Sequence, residues 1–194
     1  MHGNKTNFSP ATMTCELILG GARSGKSREA ERRASASGLP VSVIVTAEAL
    51  DAEMSARIHR HQADRPTHWR TIEAPLALAA ALRAEAAPGR CVVVDCLSLW
   101  LNNLLVDAEQ LAPGADTEEL PLFARERAAL LATLPSLPGR IILVANEVGL
   151  GLVPLHPLGR LFRDEAGRLN QAIAALSDEV LFVTAGLPLQ LKGG

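Results

Sequence analysis

Apolar residues fall in short, nearly continuous runs, separated by longer stretches whose apolar positions recur every three or four residues. The first run, residues 15–19, reads as a strand feeding a glycine-rich turn, and residues 26–36 read as the helix after it. A second β-branched run follows at 41–46, then an amphipathic stretch at 52–62 rich in Ala, Met, Arg and His. Alanine-rich residues 76–86 predict a helix, 91–95 a third strand and 97–104 a short helix. Residues 141–145 and 179–183 complete the set of strands, with helices at 118–134 and 158–175 between them. The runs are apolar on almost every residue, as in strands covered on both faces. Strand and helix alternate throughout, so the expected fold is α/β, a mostly parallel sheet with right-handed crossovers. Pro113-Gly114, Pro138-Gly139 and Pro154 mark turns, and 106–119 reads as a mobile loop. Residues 188–194 are compatible with a short edge strand, which the pattern does not decide.

Chemistry enters where the first strand ends. Gly20-Gly21-Ala22-Arg23-Ser24-Gly25-Lys26-Ser27 has the form G-x-x-x-x-G-K-[ST] and lies between a predicted strand and a predicted helix. Glycines let successive backbone N–H groups turn onto phosphate oxygens, and the helix presents its positive end. Lys26 then reaches the outer phosphates, and Ser27 is placed to hold Mg²⁺. Phosphoryl transfer also needs a carboxylate at the end of a neighbouring strand to orient the metal. Asp95, closing the third run, is the candidate; a strand-end aspartate can also cap the helix that follows, and both roles can coexist.

A second cluster lies at Arg57-Ile58-His59-Arg60-His61-Gln62-Ala63-Asp64-Arg65-Pro66, with two histidines and three arginines in ten residues. On a helix, Met54, Arg57, Ile58 and His61 share one face, whereas His59 points about 200° away from His61. An imidazole there can attack a nucleotide α-phosphorus and carry the nucleotide as a phosphoramidate, with arginines neutralising the developing charge. The residues alone also fit a solvated basic face.

Composition narrows the setting. The 194-residue chain is 48% hydrophobic, enough for one sizeable core and one domain at 15–194, with 1–14 reading as a flexible leader without a signal-peptide apolar region. A net charge of -2 gives no general attraction for nucleic acid. No stretch reaches the roughly 18 apolar residues of a membrane span. Cys15, Cys91 and Cys96 lack zinc-like spacing and are odd in number, so the pattern fits reduced thiols in a cytoplasmic protein rather than a disulfide framework.

Taken together, the phosphate loop, Asp51-Ala52-Glu53-Met54-Ser55-Ala56-Arg57-Ile58-x-x-His61-x-x-x-Arg65-Pro66 and Trp69-Arg70-Thr71-x-Glu73 resemble the bifunctional adenosylcobinamide kinase/adenosylcobinamide-phosphate guanylyltransferase family. Asp95-Cys96 with Asn102-Asn103, Asn146-Glu147-Val148-Gly149-x-Gly151-x-Val153-Pro154 and Phe162-Arg163-Asp164-x-Ala166-Gly167-Arg168-x-Asn170-Gln171 extend the likeness to nearly the whole chain. The resemblance implies a single P-loop NTPase-type (RecA-like) domain that binds GTP, ATP and Mg²⁺. It implies phosphorylation of adenosylcobinamide, then transfer of GMP from GTP onto the new phosphate through a guanylyl-histidine at His61, with His59 as the fallback. It implies nucleotide contacts at the phosphate loop, Val45, Thr46, Ala47, Gln62, Ala63, Asp64, Arg65, Glu73 and Asp95, with Ser27 and Asp95 on the metal. A corrinoid substrate and a homotrimer belong to the same expectation. Arg160, Arg163, Gly167, Asn170 and Gln171 form a polar stripe that reads as a solvated face, or by resemblance as a corrinoid or subunit surface. Two rival readings remain from the residues: a single-function small-molecule kinase with a basic lid, and a nucleotide-binding module without turnover.

Overall fold

The computed structural model describes residues 14–47, 65–105 and 120–193. The expected leader up to residue 13, the helix at 52–62 and the loop at 106–119 lie outside them.

Seven strands form one sheet among the described residues. They are β1 (Thr14–Gly20), β2 (Val41–Val45), β3 (Arg70–Glu73), β4 (Cys91–Asp95), β5 (Arg140–Asn146), β6 (Glu179–Thr184) and β7 (Leu187–Lys192). Their spatial order is β3-β2-β4-β5-β1-β6-β7. All neighbours are parallel except β7, which returns antiparallel to β6. Five α-helices accompany them among the described residues: α1 (Lys26–Ala36), α2 (Leu78–Glu85), α3 (Leu97–Leu104), α4 (Pro121–Thr133) and α5 (Pro157–Leu176).

The central strands are buried along almost their whole length, which is why they read as unbroken apolar runs rather than alternating ones. Their two faces feed separate apolar layers. On one, Ile18, Val43, Val93 and Val144 pack under α1, whose Ala30 and Ala34 let the helix lie close to the sheet. On the other, Leu17, Val92 and Leu143 pack with α2, α3, α4 and α5 through Leu78, Trp100, Leu130 and Leu169. Trp100 is fully buried, and its indole N–H donates to the Leu76 carbonyl at 2.7 Å.

Two strands differ from the sequence expectation. β3 was not anticipated, because three of its four residues are exposed on the sheet edge and carry no apolar run. β7 settles the undecided C-terminal segment as an antiparallel edge strand. Helix limits shift where proline intervenes. The stretch expected at 118–134 starts as α4 at Pro121, and beyond Thr133 it tightens into a 3₁₀ turn at Leu134–Ser136.

Candidate active site

The phosphate loop leaves β1 at Gly20 and enters α1 at Lys26. Gly20 has no room for a side chain: a Cβ there would lie 2.5 Å from both the Val183 carbonyl oxygen and Ser24 Oγ. Gly25 sits at φ +99°, in the left-handed region, and an added Cβ would come 3.2 Å from Gly186 Cα. Gly186 belongs to the tight turn of the β6–β7 hairpin and donates its N–H to the Ser24 carbonyl at 2.9 Å. The β6–β7 turn thus braces the loop from outside.

Inside the loop, Lys26 Nζ donates to the Gly21 carbonyl at 3.1 Å. No side chain caps the N-terminus of α1. Its first N–H groups have no carbonyl a turn earlier to accept them, so this end of the helix is suited to an anion. Ser24 Oγ is buried and lacks a hydrogen-bond partner among the described residues, which adds one more polar group to the cradle.

Asp95 closes β4, and the strand order places β5 between it and β1. In register, Asp95 lies beside Val45, and Val45 beside Glu73, so the three occupy one row at the carboxyl edge of the sheet. Ligand crevices of parallel sheets form at such an edge. Glu73 is exposed at its outer end. Ser27, Glu31, Arg65 and Asp95 line one narrow crevice between α1 and the sheet. There Arg65 Nη2 donates to Asp95 Oδ2 at 2.8 Å, while its Nε stands 3.5 Å from Glu31 Oε1.

Asp95 does not cap α3; the N-cap position is Cys96, with no side-chain cap bond. The turn after Asp95 is instead held by Thr46, which is fully buried. Its hydroxyl donates to the Cys96 carbonyl at 2.6 Å and accepts the Cys96 N–H at 3.1 Å. Asn103 Nδ2 in turn donates to the Thr46 carbonyl at 2.8 Å and the Pro75 carbonyl at 3.1 Å. Thr46 therefore fastens the end of β2 to the start of α3, with every polar group engaged. Burial first, and then the Asp95 charge, push the Cys96 thiol above its ordinary range.

Sequence reasoning left the positioning roles of Asn103 and Ser98 unread. Ser98 Oγ accepts the Asn146 N–H at 2.7 Å and fixes the end of β5. The signal for Asn103 is an amide pair closing an otherwise apolar helix. Glu147, just beyond β5, has turned its carboxylate back onto the Gly149 N–H at 2.5 Å. Its own N–H donates to the Gly20 carbonyl at 3.0 Å, so this segment abuts the phosphate loop. The polar stripe on α5 is not uniformly solvated: Asn170 is buried and its Nδ2 lies 3.4 Å from the Asn146 carbonyl.

The oxygen donors available to a cation, the Ser27 hydroxyl and an Asp95 carboxylate, suit Mg²⁺, which is commonly held by one carboxylate, a hydroxyl and substrate phosphates. Among the described residues, no cluster of three or more His, Cys, Asp or Glu is arranged around a metal. His61, His59, Gln62, Ala63 and Asp64 lie outside the described residues; of the other expected site residues, Ser27, Arg65 and Asp95 line one crevice.

Loop, helix terminus, carboxylate and strand order define a P-loop nucleotide-binding α/β protein. Residues 16–191 match the family described as cobinamide kinase / cobinamide phosphate guanyltransferase, and the chain belongs to that family. It is 60% identical over 179 residues to the bifunctional adenosylcobalamin biosynthesis protein CobP of Pseudomonas aeruginosa, covering 92% of this chain and 97% of that protein. The corresponding CobU of Salmonella typhimurium is 42% identical, with 91% and 98% coverage. That of Escherichia coli is 41% identical, also with 91% and 98% coverage. Among solved structures, the flagellar accessory protein FlaH of Methanocaldococcus jannaschii aligns with a TM-score of 0.47 and 15% identity, covering 95% of this chain and 80% of that one. Among the described residues, no helix is long and apolar enough to cross a membrane.

Proposed function

We propose that this chain performs both reactions of its family in succession, and that in the second His61 carries the guanylyl group from GTP to the corrinoid phosphate. In the first, the aminopropanol hydroxyl of adenosylcobinamide attacks the γ-phosphorus of ATP or GTP, and the nucleoside diphosphate leaves. In the second, a His61 ring nitrogen attacks the α-phosphorus of GTP and pyrophosphate departs. A phosphate oxygen of the corrinoid then attacks that α-phosphorus and breaks the N–P bond, giving adenosylcobinamide-GDP and free imidazole.

The observation that carries this reading is a phosphate loop whose last residue, Ser27, lines one crevice with Asp95, in a chain aligned with the bifunctional relatives along nine-tenths of its length. Backbone N–H groups from Ala22 to Ser27 and the Lys26 ammonium bind the phosphates and place the reacting phosphorus. A bound Mg²⁺ supplies charge neutralisation at the phosphate oxygens. Ser27 and Asp95 are the residues that hold it. Glu73, Val45 and Ala47 lie at the same sheet edge and serve the nucleoside, together with Gln62, Ala63 and Asp64. The proposed setting is the cytoplasm and the proposed assembly a homotrimer, which light scattering reads as three times the chain mass.

The covalent step is tested by incubation with GTP labelled at the α-phosphate. An acid-labile label on the wild-type chain, absent from His61→Ala and retained by His59→Ala, is the expected result. Loss of label in His59→Ala alone transfers the role to His59, and no label on any of the three removes histidine from the reaction.

A further inference from the structure

Arg65 is the most deeply enclosed cation of the crevice, its side chain only 5% exposed. One of its nitrogens is satisfied by Asp95, but Nε and Nη1 have no hydrogen-bond acceptor among the described residues. Buried donors left unfilled are costly, because each forfeits its hydrogen bond to water without a replacement. The arrangement is therefore half complete: a guanidinium with spare N–H groups lines the same crevice as Ser27, the last residue of the phosphate loop, and hydrogen-bonds the carboxylate assigned to the metal. Asp95 Oδ2 cannot serve both partners fully. A Mg²⁺ ion at about 2 Å from either oxygen and a guanidinium at 2.8 Å from Oδ2 would set two positive groups against one carboxylate. Glu31 alone does not resolve the conflict, because its carboxylate is 3.5 Å from Nε without a hydrogen bond forming.

Building on the assignment of Asp95 to the metal, we infer that Arg65 is a charge-exchange residue that makes metal binding conditional on nucleotide. Without nucleotide, its guanidinium occupies Asp95 and keeps a divalent cation off. When a triphosphate enters, its oxygens accept the unfilled N–H groups, Arg65 leaves Asp95, and the cation takes the vacated carboxylate oxygen. Anion and cation then favour each other's binding by more than their own chelation, since each removes the obstacle to the other. Arg65 acts here as a positioning residue: it governs which charge Asp95 meets.

The experiment titrates Mn²⁺ alone, without nucleotide or corrinoid, into wild type, Arg65→Met, Arg65→Gln and the double variant Arg65→Met/Asp95→Asn. Free Mn²⁺ is followed by electron paramagnetic resonance and folding by circular dichroism. Either single variant that folds is expected to bind Mn²⁺ about tenfold more tightly than wild type, within the range usual for coupled sites. The double variant is expected to return to the wild-type level or below. Unchanged Mn²⁺ affinity in a folded single variant overturns the exchange. A gain that survives Asp95→Asn also overturns it, and removes Asp95 from the metal site. Because no GTP is present, either result is independent of whether His61 becomes labelled.

Discussion

Lys26 spends one hydrogen bond on the carbonyl of Gly21, a residue of its own loop. A triphosphate offers that ammonium charged oxygens instead, and charge-assisted bonds are roughly twice as strong as neutral ones. Lys26→Met should therefore leave the fold intact and lower the rate of corrinoid phosphorylation by about 10²-fold or more, the scale on which loss of one transition-state donor is felt. Steady-state turnover with labelled ATP measures it, and a change confined to KM would contradict it. The cysteines supply a second residue-scale expectation. Burial raises both Cys15 and Cys91 from an ordinary 9.0 to about 11. Folding thus favours the protonated thiols. The stability involved is intact below pH 9, where both states are protonated, and is lost as the pH rises from about 9 to about 11. The loss is on the order of 2–3 kcal/mol per thiol. The chain has no tyrosine to titrate over the same interval. Urea midpoints at pH 8 and pH 11 should differ by less in Cys15→Ala/Cys91→Ala than in wild type, and an identical pH slope would refute the account.

At the level of elements, legibility followed burial. β1, β2, β4, β5 and β6 could be read because strands covered on both faces must be apolar along their length, and α1 because its loop is fixed by a phosphate-binding pattern. β3 and β7 lie on the two edges, where Arg70, Thr71 and Glu73 or Leu187, Leu189 and Leu191 remain exposed and no periodicity is enforced. The candidate site divides the same way. A contiguous motif revealed the loop and a strand end revealed Asp95. The Arg65–Asp95 pair and the Thr46–Cys96–Asn103 fastening join residues 30 to 57 positions apart, and so become visible only once the sheet has assembled. The hairpin behind the loop gives an element-scale test. Gly25→Ala places a Cβ at a left-handed φ and against Gly186, so it should destabilise the fold by more than about 1 kcal/mol and weaken GTP binding. Calorimetric titration with GTP alongside urea unfolding reads both, and unchanged GTP affinity would show that the loop tolerates displacement from its brace.

Across the whole molecule, the two ends of the sheet divide the work. The carboxyl edge carries the phosphate loop, Asp95 and Arg65, while the amino edge carries a buried ionic cluster remote from them in register. Glu16, only 2% exposed, accepts Arg33 Nε at 2.5 Å on one oxygen and Arg140 Nη2 at 2.5 Å on the other. Arg33 also pairs with Glu179 at the start of β6. One carboxylate thereby ties β1 to α1 and β5, and through Arg33 to β6. Replacing such an ion group with apolar side chains can be neutral, but removing one partner leaves buried charge uncompensated and typically costs about 3–5 kcal/mol. Glu16→Gln should lower unfolding stability on that scale. It should leave the KM for GTP and the labelling of His61 unchanged below the unfolding transition, because α1 reaches the site by its other end. Denaturation curves paired with initial-rate kinetics distinguish the outcomes: a rise in KM at full folding would mean that α1 transmits strain from Arg33 to the phosphate loop, and that the two edges are coupled through the helix they share.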